Sequence, residues 1–212
     1  MNKFLSSKWT KVGLFLLCLV PLAVLVWFGF QQDLTANPLE YITHYTGDWT
    51  IRFIMITLSV TPLRIIFNRP ALTRFRRMLG LYAFFYGSLH LLTWVWFDRQ
   101  FEIAGMWEDI AKRLYITVGM AAFTAMVPLA ITSTTGWVRR LGYQRWQKLH
   151  KLIYFTGIAA CIHYQWLVKS DIRKPLMYWG ILLVLLGFRL IVRLKKRPKA
   201  APAVVVQTQS QA

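Results

Sequence analysis

Six apolar blocks, each about the length of one bilayer crossing, are separated by short polar or cationic connections. They lie near residues 12–30, 48–67, 78–97, 114–133, 149–168 and 176–192. In hydrocarbon every backbone N–H and C=O must find its partner within the protein, so runs of this length fold as helices. The chain is therefore predicted to be all-α, a polytopic six-helix transmembrane bundle. Pro21, Pro62 and Pro128 fall inside or late in three blocks, where membrane helices tolerate them.

Charge sets the orientation. The chain is 56% hydrophobic and carries +18 net charge from 26 Lys and Arg against 8 Asp and Glu. The basic residues cluster in the N-terminus, the second and fourth connections and the C-terminal flank, which share one side of a six-span bundle. By the positive-inside rule that side is the cytoplasm, with both termini there. Asp33, Glu40, Asp98, Glu102, Glu108, Asp109 and Asp171 fall on the opposite side. No soluble basic face exists for nucleic acid, so the expected surroundings are membrane lipid. The resulting division is a cytoplasmic N-terminus at 1–11, a transmembrane domain at 12–194, and a basic flank with a disordered cytoplasmic tail at 195–212. The first block follows Lys3, Lys8 and Lys11 without a small-residue cleavage site, so it is read as a retained anchor. Between the third and fourth blocks, Ile103, Met106, Trp107 and Ile110 repeat with helical period, which suits a short interfacial helix.

Three histidines lie in or at the edge of apolar blocks. An imidazole in hydrocarbon is costly unless bonded, so each is a functional candidate. His90 lies 13 residues beyond Arg77, and His163 lies 13 beyond His150, on blocks that run in the same direction. Both therefore sit roughly 20 Å above the cytoplasmic edge. Two level imidazoles could fill both axial positions of one b-type haem iron. The competing reading is that each ring bonds a carbonyl or hydroxyl of a neighbouring helix. His150 sits at the charged edge among Arg145, Lys148 and Lys151, and it is either solvated or a ligand of a second haem. No histidine is level with it on the third block, and 13 residues rotate it by about 140° from His163 on a straight helix. His44 is expected to be exposed, with an outer partner or quinone as the alternative contact. Trp27, Trp49, Trp94, Trp96, Trp146, Trp166 and Trp179 fall near block ends and are read mainly as interface anchors. Arg52, Arg113, Arg77 and Arg140 are candidate partners for haem propionates, and 98–112 is a candidate partner-docking segment.

Cys18 and Cys161 lie inside apolar blocks without metal-type spacing and are read as buried small hydrophobes. GxGxxG, P-loop and HExxH motifs are absent, and the connections are too short for a flavin or nicotinamide domain. Electrons would have to enter from another protein or a lipid-soluble donor. Two other classes compete: a stand-alone ferric or cupric reductase, and a non-redox transporter or assembly factor. Against transport, no inverted repeat or interrupted helix pair is visible.

RRMLGLYAFFYGSLHLLTW, LAITSTTGWVRRLGYQRWQKLHKLIYF and IHYQWLVK, with NPLEYITHYTG upstream, resemble the MsrQ (YedZ) family. That family belongs to the ferric-reductase-like transmembrane superfamily. The resemblance implies a haem-binding bacterial inner-membrane subunit of a methionine-sulfoxide reductase system. It takes electrons from the quinone pool or a cytosolic flavin reductase and passes them to MsrP, a periplasmic molybdopterin enzyme. The implied role is thus an electron-transfer subunit of an oxidoreductase complex, with haem iron held at His90, His150 and His163. FMN has also been attributed to the family, although no flavin signature is present here. The wider superfamily carries two histidines on each of two helices and a cytosolic FAD/NADPH domain. This chain has one on the third block, two on the fifth, and no such domain.

Overall fold

The computed structural model describes residues 7–195, and all regular structure among them is helical. The expected disordered tail, beyond residue 195, lies outside the described residues.

Helix α1, Lys8–Phe30, is capped by Ser7, whose hydroxyl accepts from the Trp9 amide. Helix α2, Pro38–Ile66, begins ten residues before its apolar block. The polar stretch through residue 46 was expected to be a connection, yet most of it is helical. Asn37 accepts from the Glu40 amide and donates to its carboxylate, and Pro38 occupies the first helical position, where it needs no donor. Helix α3, Arg76–Leu92, follows a 3-10 turn at Pro70–Phe75 and runs into a π-helical turn at Thr93–Asp98. Helix α4, Ile103–Lys112, is the short helix expected from periodicity, with Ile103 and Trp107 exposed.

Helix α5 spans Leu114–Ile131, and two short helices follow as α6, Thr135–Leu141, and α7, Tyr143–Leu149. Helices α8, Leu152–Leu167, and α9, Arg173–Lys195, complete the chain. Five helical segments are long and apolar enough to cross a membrane: Lys8–Phe30, Pro38–Ile66, Pro70–Asp98, Leu114–Ile131 and Arg173–Lys195. The fifth apolar block, expected as one helix over 149–168, breaks at His150 and Lys151, leaving α8 with 16 residues. That is about 24 Å of helix. The protein is a multi-pass transmembrane protein.

Helix α2 is central, packed along α3 and against α8 and α9, while α5 lies along α8. Phe53, Ile54, Leu58, Tyr82, Tyr86, Cys161 and Leu182 are buried at its core. Phe53 stacks on Tyr86 with centroids 5.2 Å apart and on Tyr82 at 5.6 Å. At Pro21 the Tyr86 hydroxyl sits in the α1 ladder, donating to the Cys18 carbonyl and accepting from the Leu22 amide. Both cysteines are free and buried. The bundle has an acidic end, with α4 and the 98–113 segment, and a basic end, with α6 and α7.

Candidate functional site

His90 ends α3 and reaches across to α2, where its Nδ1 lies 2.9 Å from the Thr43 carbonyl. A carbonyl only accepts, so Nδ1 carries the proton and donates, leaving Nε2 as the ligating nitrogen. His163 on α8 does the same to α5, with Nδ1 2.6 Å from the Tyr115 carbonyl. In both cases a glycine stands one turn further along the accepting helix. A Cβ on Gly47 would lie 3.1 Å from His90, and one on Gly119 would lie 2.7 Å from His163. At Gly119 a side chain would collide with the imidazole, whereas at Gly47 the ring would have to give by a few tenths of an ångström. The Thr43 hydroxyl donates to Thr93 Oγ1, which donates to the His90 carbonyl, tying α2 to the start of the π-helical turn.

The two rings that helix counting puts level have centroids 6.1 Å apart, with planes at 78°. An imidazole–metal bond is about 2 Å and the ring centre lies about 1 Å behind the nitrogen, so axial imidazoles on one iron have centroids about 6 Å apart. The pair fits that spacing. Around it lies a cavity of about 480 Å³ that includes Ile51, Ile54, Gly87, Met120, Phe123 and Met126 in its wall. That volume is in the range of cofactor pockets, roughly 300–1,000 Å³. These residues therefore fit a haem.

The mouth of this cavity faces the acidic end and carries Arg113 and Lys174 beside Asp48, Asp98 and Asp171, with His44 exposed at the rim. Of the arginines considered for propionates, only Arg113 lines it. Arg52 is instead engaged by Asp48 at 3.6 Å, the Trp49 ring at 4.7 Å and the Tyr178 hydroxyl at 3.4 Å. Arg140 lies over Trp137. Lys174, which sequence reasoning missed, is the second cation at the mouth.

His150 lies in a second cavity, of about 240 Å³, at the basic end. Its Nε2 is 3.1 Å from Thr132 Oγ1, and that hydroxyl lies 2.6 Å from the Pro128 carbonyl. The hydroxyl has one proton and gives it to the carbonyl, so Nε2 donates to the oxygen. Trp146, expected as an interface anchor, is instead buried against His150 at 4.0 Å and donates from Nε1 to the Thr132 carbonyl. No other histidine lines this cavity. Met126 borders both cavities, and the stacked pair Phe84 and Phe123, 5.4 Å apart, stands between them.

The family model described as "Ferric reductase like transmembrane component" matches residues 12–161. A Bordetella pertussis protein is 46% identical over 90% of this chain and 93% of its own length. A Xanthomonas campestris protein is 48% identical over 94% of each. Both carry the name "Protein-methionine-sulfoxide reductase heme-binding subunit MsrQ". The chain belongs to the MsrQ family. A Ralstonia nicotianae protein of the same name is 49% identical over 87% of this chain and 86% of its own length. No solved structure matches the chain.

Proposed function

We propose that this chain is the haem-binding electron-transfer subunit of a bacterial methionine-sulfoxide reductase system. His90 and His163 would hold one b-type haem, which when bound would supply a one-electron carrier. The single observation that carries this is the pair of imidazoles with centroids 6.1 Å apart, each with Nδ1 tied to a helix carbonyl. Those carbonyls fix the tautomer and aim Nε2, as outer-shell partners of metal-binding histidines do. Arg113 and Lys174 are the cations placed to receive propionates.

His150 is the weaker third ligand. Its Nε2 is committed to Thr132, and no second imidazole shares its cavity. Six spans with both termini in the cytoplasm put the basic end inside and the His90/His163 cavity near the periplasmic face of the inner membrane. Electrons enter at the basic end from a quinol or a cytosolic flavin reductase. They leave at the acidic end to an MsrP-type periplasmic molybdopterin enzyme, with 98–112 forming part of its docking surface. FMN, attributed to the family, has no residue assigned to it here. The relatives' printed name supports the haem and the reductase system.

The test is oxidised and dithionite-reduced spectra of the purified chain and three variants. His90→Ala and His163→Ala are expected to abolish the b-type signal, and His150→Ala to keep most of it. A colourless wild type, expressed with ample haem, overturns the proposal. Loss of about half the haem in His150→Ala would establish a second haem instead.

A further inference from the structure

We propose that Asp48 sets the reduction potential of the histidine cavity: its carboxylate, held between Arg52 and Lys174, lowers the potential of a haem at His90 and His163. This rests on the haem reading above. Asp48 follows Gly47, the residue against which the His90 ring packs, so it lies level with that imidazole. It lines the cavity beside Tyr164, with which it also interacts. Its side chain is only 18% exposed. Two cations approach its Oδ2, Arg52 one turn along α2 at 3.6 Å and Lys174 from the start of α9 at 3.8 Å.

An ordinary surface pair at i, i+4 accounts for Arg52 alone. It does not account for a shielded carboxylate, in a membrane-spanning helix, that faces a cavity and draws a second cation from another helix. An ionisable group placed there is costly to keep and points to function. The charge balance gives the direction of its effect. Asp48, Asp98 and Asp171 line the cavity against Arg113 and Lys174, so carboxylates outnumber cations before any propionate arrives. Both cations are already engaged, Arg113 by Asp109 at 3.2 Å and Lys174 by Asp48. Asp98 and Asp171 are exposed, and solvent screens them, whereas Asp48 is shielded. The reduced state of a one-electron carrier holds one more negative charge than the oxidised state. A shielded carboxylate beside it therefore favours the oxidised state and makes the site a stronger electron donor. Lys174 acts in the opposite sense.

The full chain is purified with haem in a neutral maltoside detergent and titrated potentiometrically, following the spectral component that His163→Ala removes. Asp48→Asn keeps the size and shape of the side chain. It is expected to raise the ferrous-to-ferric ratio at a fixed ambient potential about tenfold, which is about 59 mV for one electron. Lys174→Gln, at an exposed side chain, is expected to shift the midpoint the other way, and it tests the proposal even where Asp48→Asn does not fold. Glu108→Gln removes a carboxylate at the same end but outside the cavity, and is expected to leave the midpoint unchanged. If Asp48 only pins α9 to α2, Asp48→Asn lowers the unfolding temperature without moving the midpoint, and that result overturns the proposal. A Lys174→Gln midpoint that stays put or rises overturns it as well. Wild type without haem would overturn the haem reading itself. Haem at the wild-type level with midpoints unmoved in both variants overturns this inference alone.

Discussion

A Cβ on Gly119 would fall 2.7 Å from Nδ1 of His163, so backbone and imidazole are already at closest approach. The corresponding gap at Gly47 and His90 is 3.1 Å. Gly119→Ala must therefore displace His163 from the Tyr115 carbonyl, whereas Gly47→Ala needs a shift of a few tenths of an ångström. Overpacking costs about 1–3 kcal/mol, which is about fivefold to a little over a hundredfold in haem affinity. We expect Gly119→Ala to lose most haem per protein and Gly47→Ala to keep about half or more. The measure is the ratio of Soret to protein absorbance after purification. Equal loss in both would mean the close approach does not set the difference.

These glycines show where the sequence was legible and where it was not. Counting along helices puts His90 and His163 level, because rise per residue is constant and both blocks begin at a basic edge. It cannot name the carbonyls of Thr43 and Tyr115, since every residue carries one. The only sequence trace is a glycine four residues on, in a helix that would gain stability from alanine. The Asn37–Pro38–Glu40 cap was present in the sequence but hidden by the polarity of the stretch after it. At the break, His150 bonds Thr132, a tertiary partner 18 residues away that no local pattern names. Trp146 had the composition of an interface anchor, and only the turn into α8 buries it.

Arg189 and Leu58 form a second such device. Pro62 has no N–H, so the Leu58 carbonyl lacks the donor that residue 62 of a helix would give it. Arg189 supplies one from α9 at 2.5 Å. Arg189→Ala leaves that buried acceptor unpaired, at about 1–3 kcal/mol. In the Arg189→Ala background, Pro62→Ala restores a backbone donor and is expected to recover part of the loss. The unfolding temperatures of the two single variants and the double variant test this as a cycle. Strict additivity would show that the carbonyl is not the shared partner.

Tyr86 acts on α1 through one hydroxyl, which accepts from Leu22 and donates to Cys18 beside Pro21. Tyr86→Phe keeps the Phe53 stack and removes only that bridge. The expected cost is about 1–3 kcal/mol, appearing chiefly as local opening. Hydrogen exchange at the Leu22 amide should rise well above that of amides elsewhere in α1. Uniform acceleration along the helix would instead place the effect on α1 docking as a whole.

At the acidic end, Asp109 is buried and faces two guanidiniums, Arg99 and, at 3.2 Å, Arg113. It pins α4 to the start of α5 and holds Arg113 at the mouth of the histidine cavity. Glu108, its neighbour in sequence, pairs with Lys112 at 2.5 Å, but both are exposed. The bond from Lys112 holds the Glu108 carboxyl below its ordinary range, so any support it gives is present near neutral pH and fades as acid protonates it. Exposed pairs contribute little, whereas uncoupling a buried carboxylate leaves cations without a counter-charge. Asp109→Asn is therefore expected to expose 98–113 to protease about tenfold faster, with Glu108→Gln unchanged as the control. Equal rates in the two variants would show that burial of Asp109 does not govern this corner.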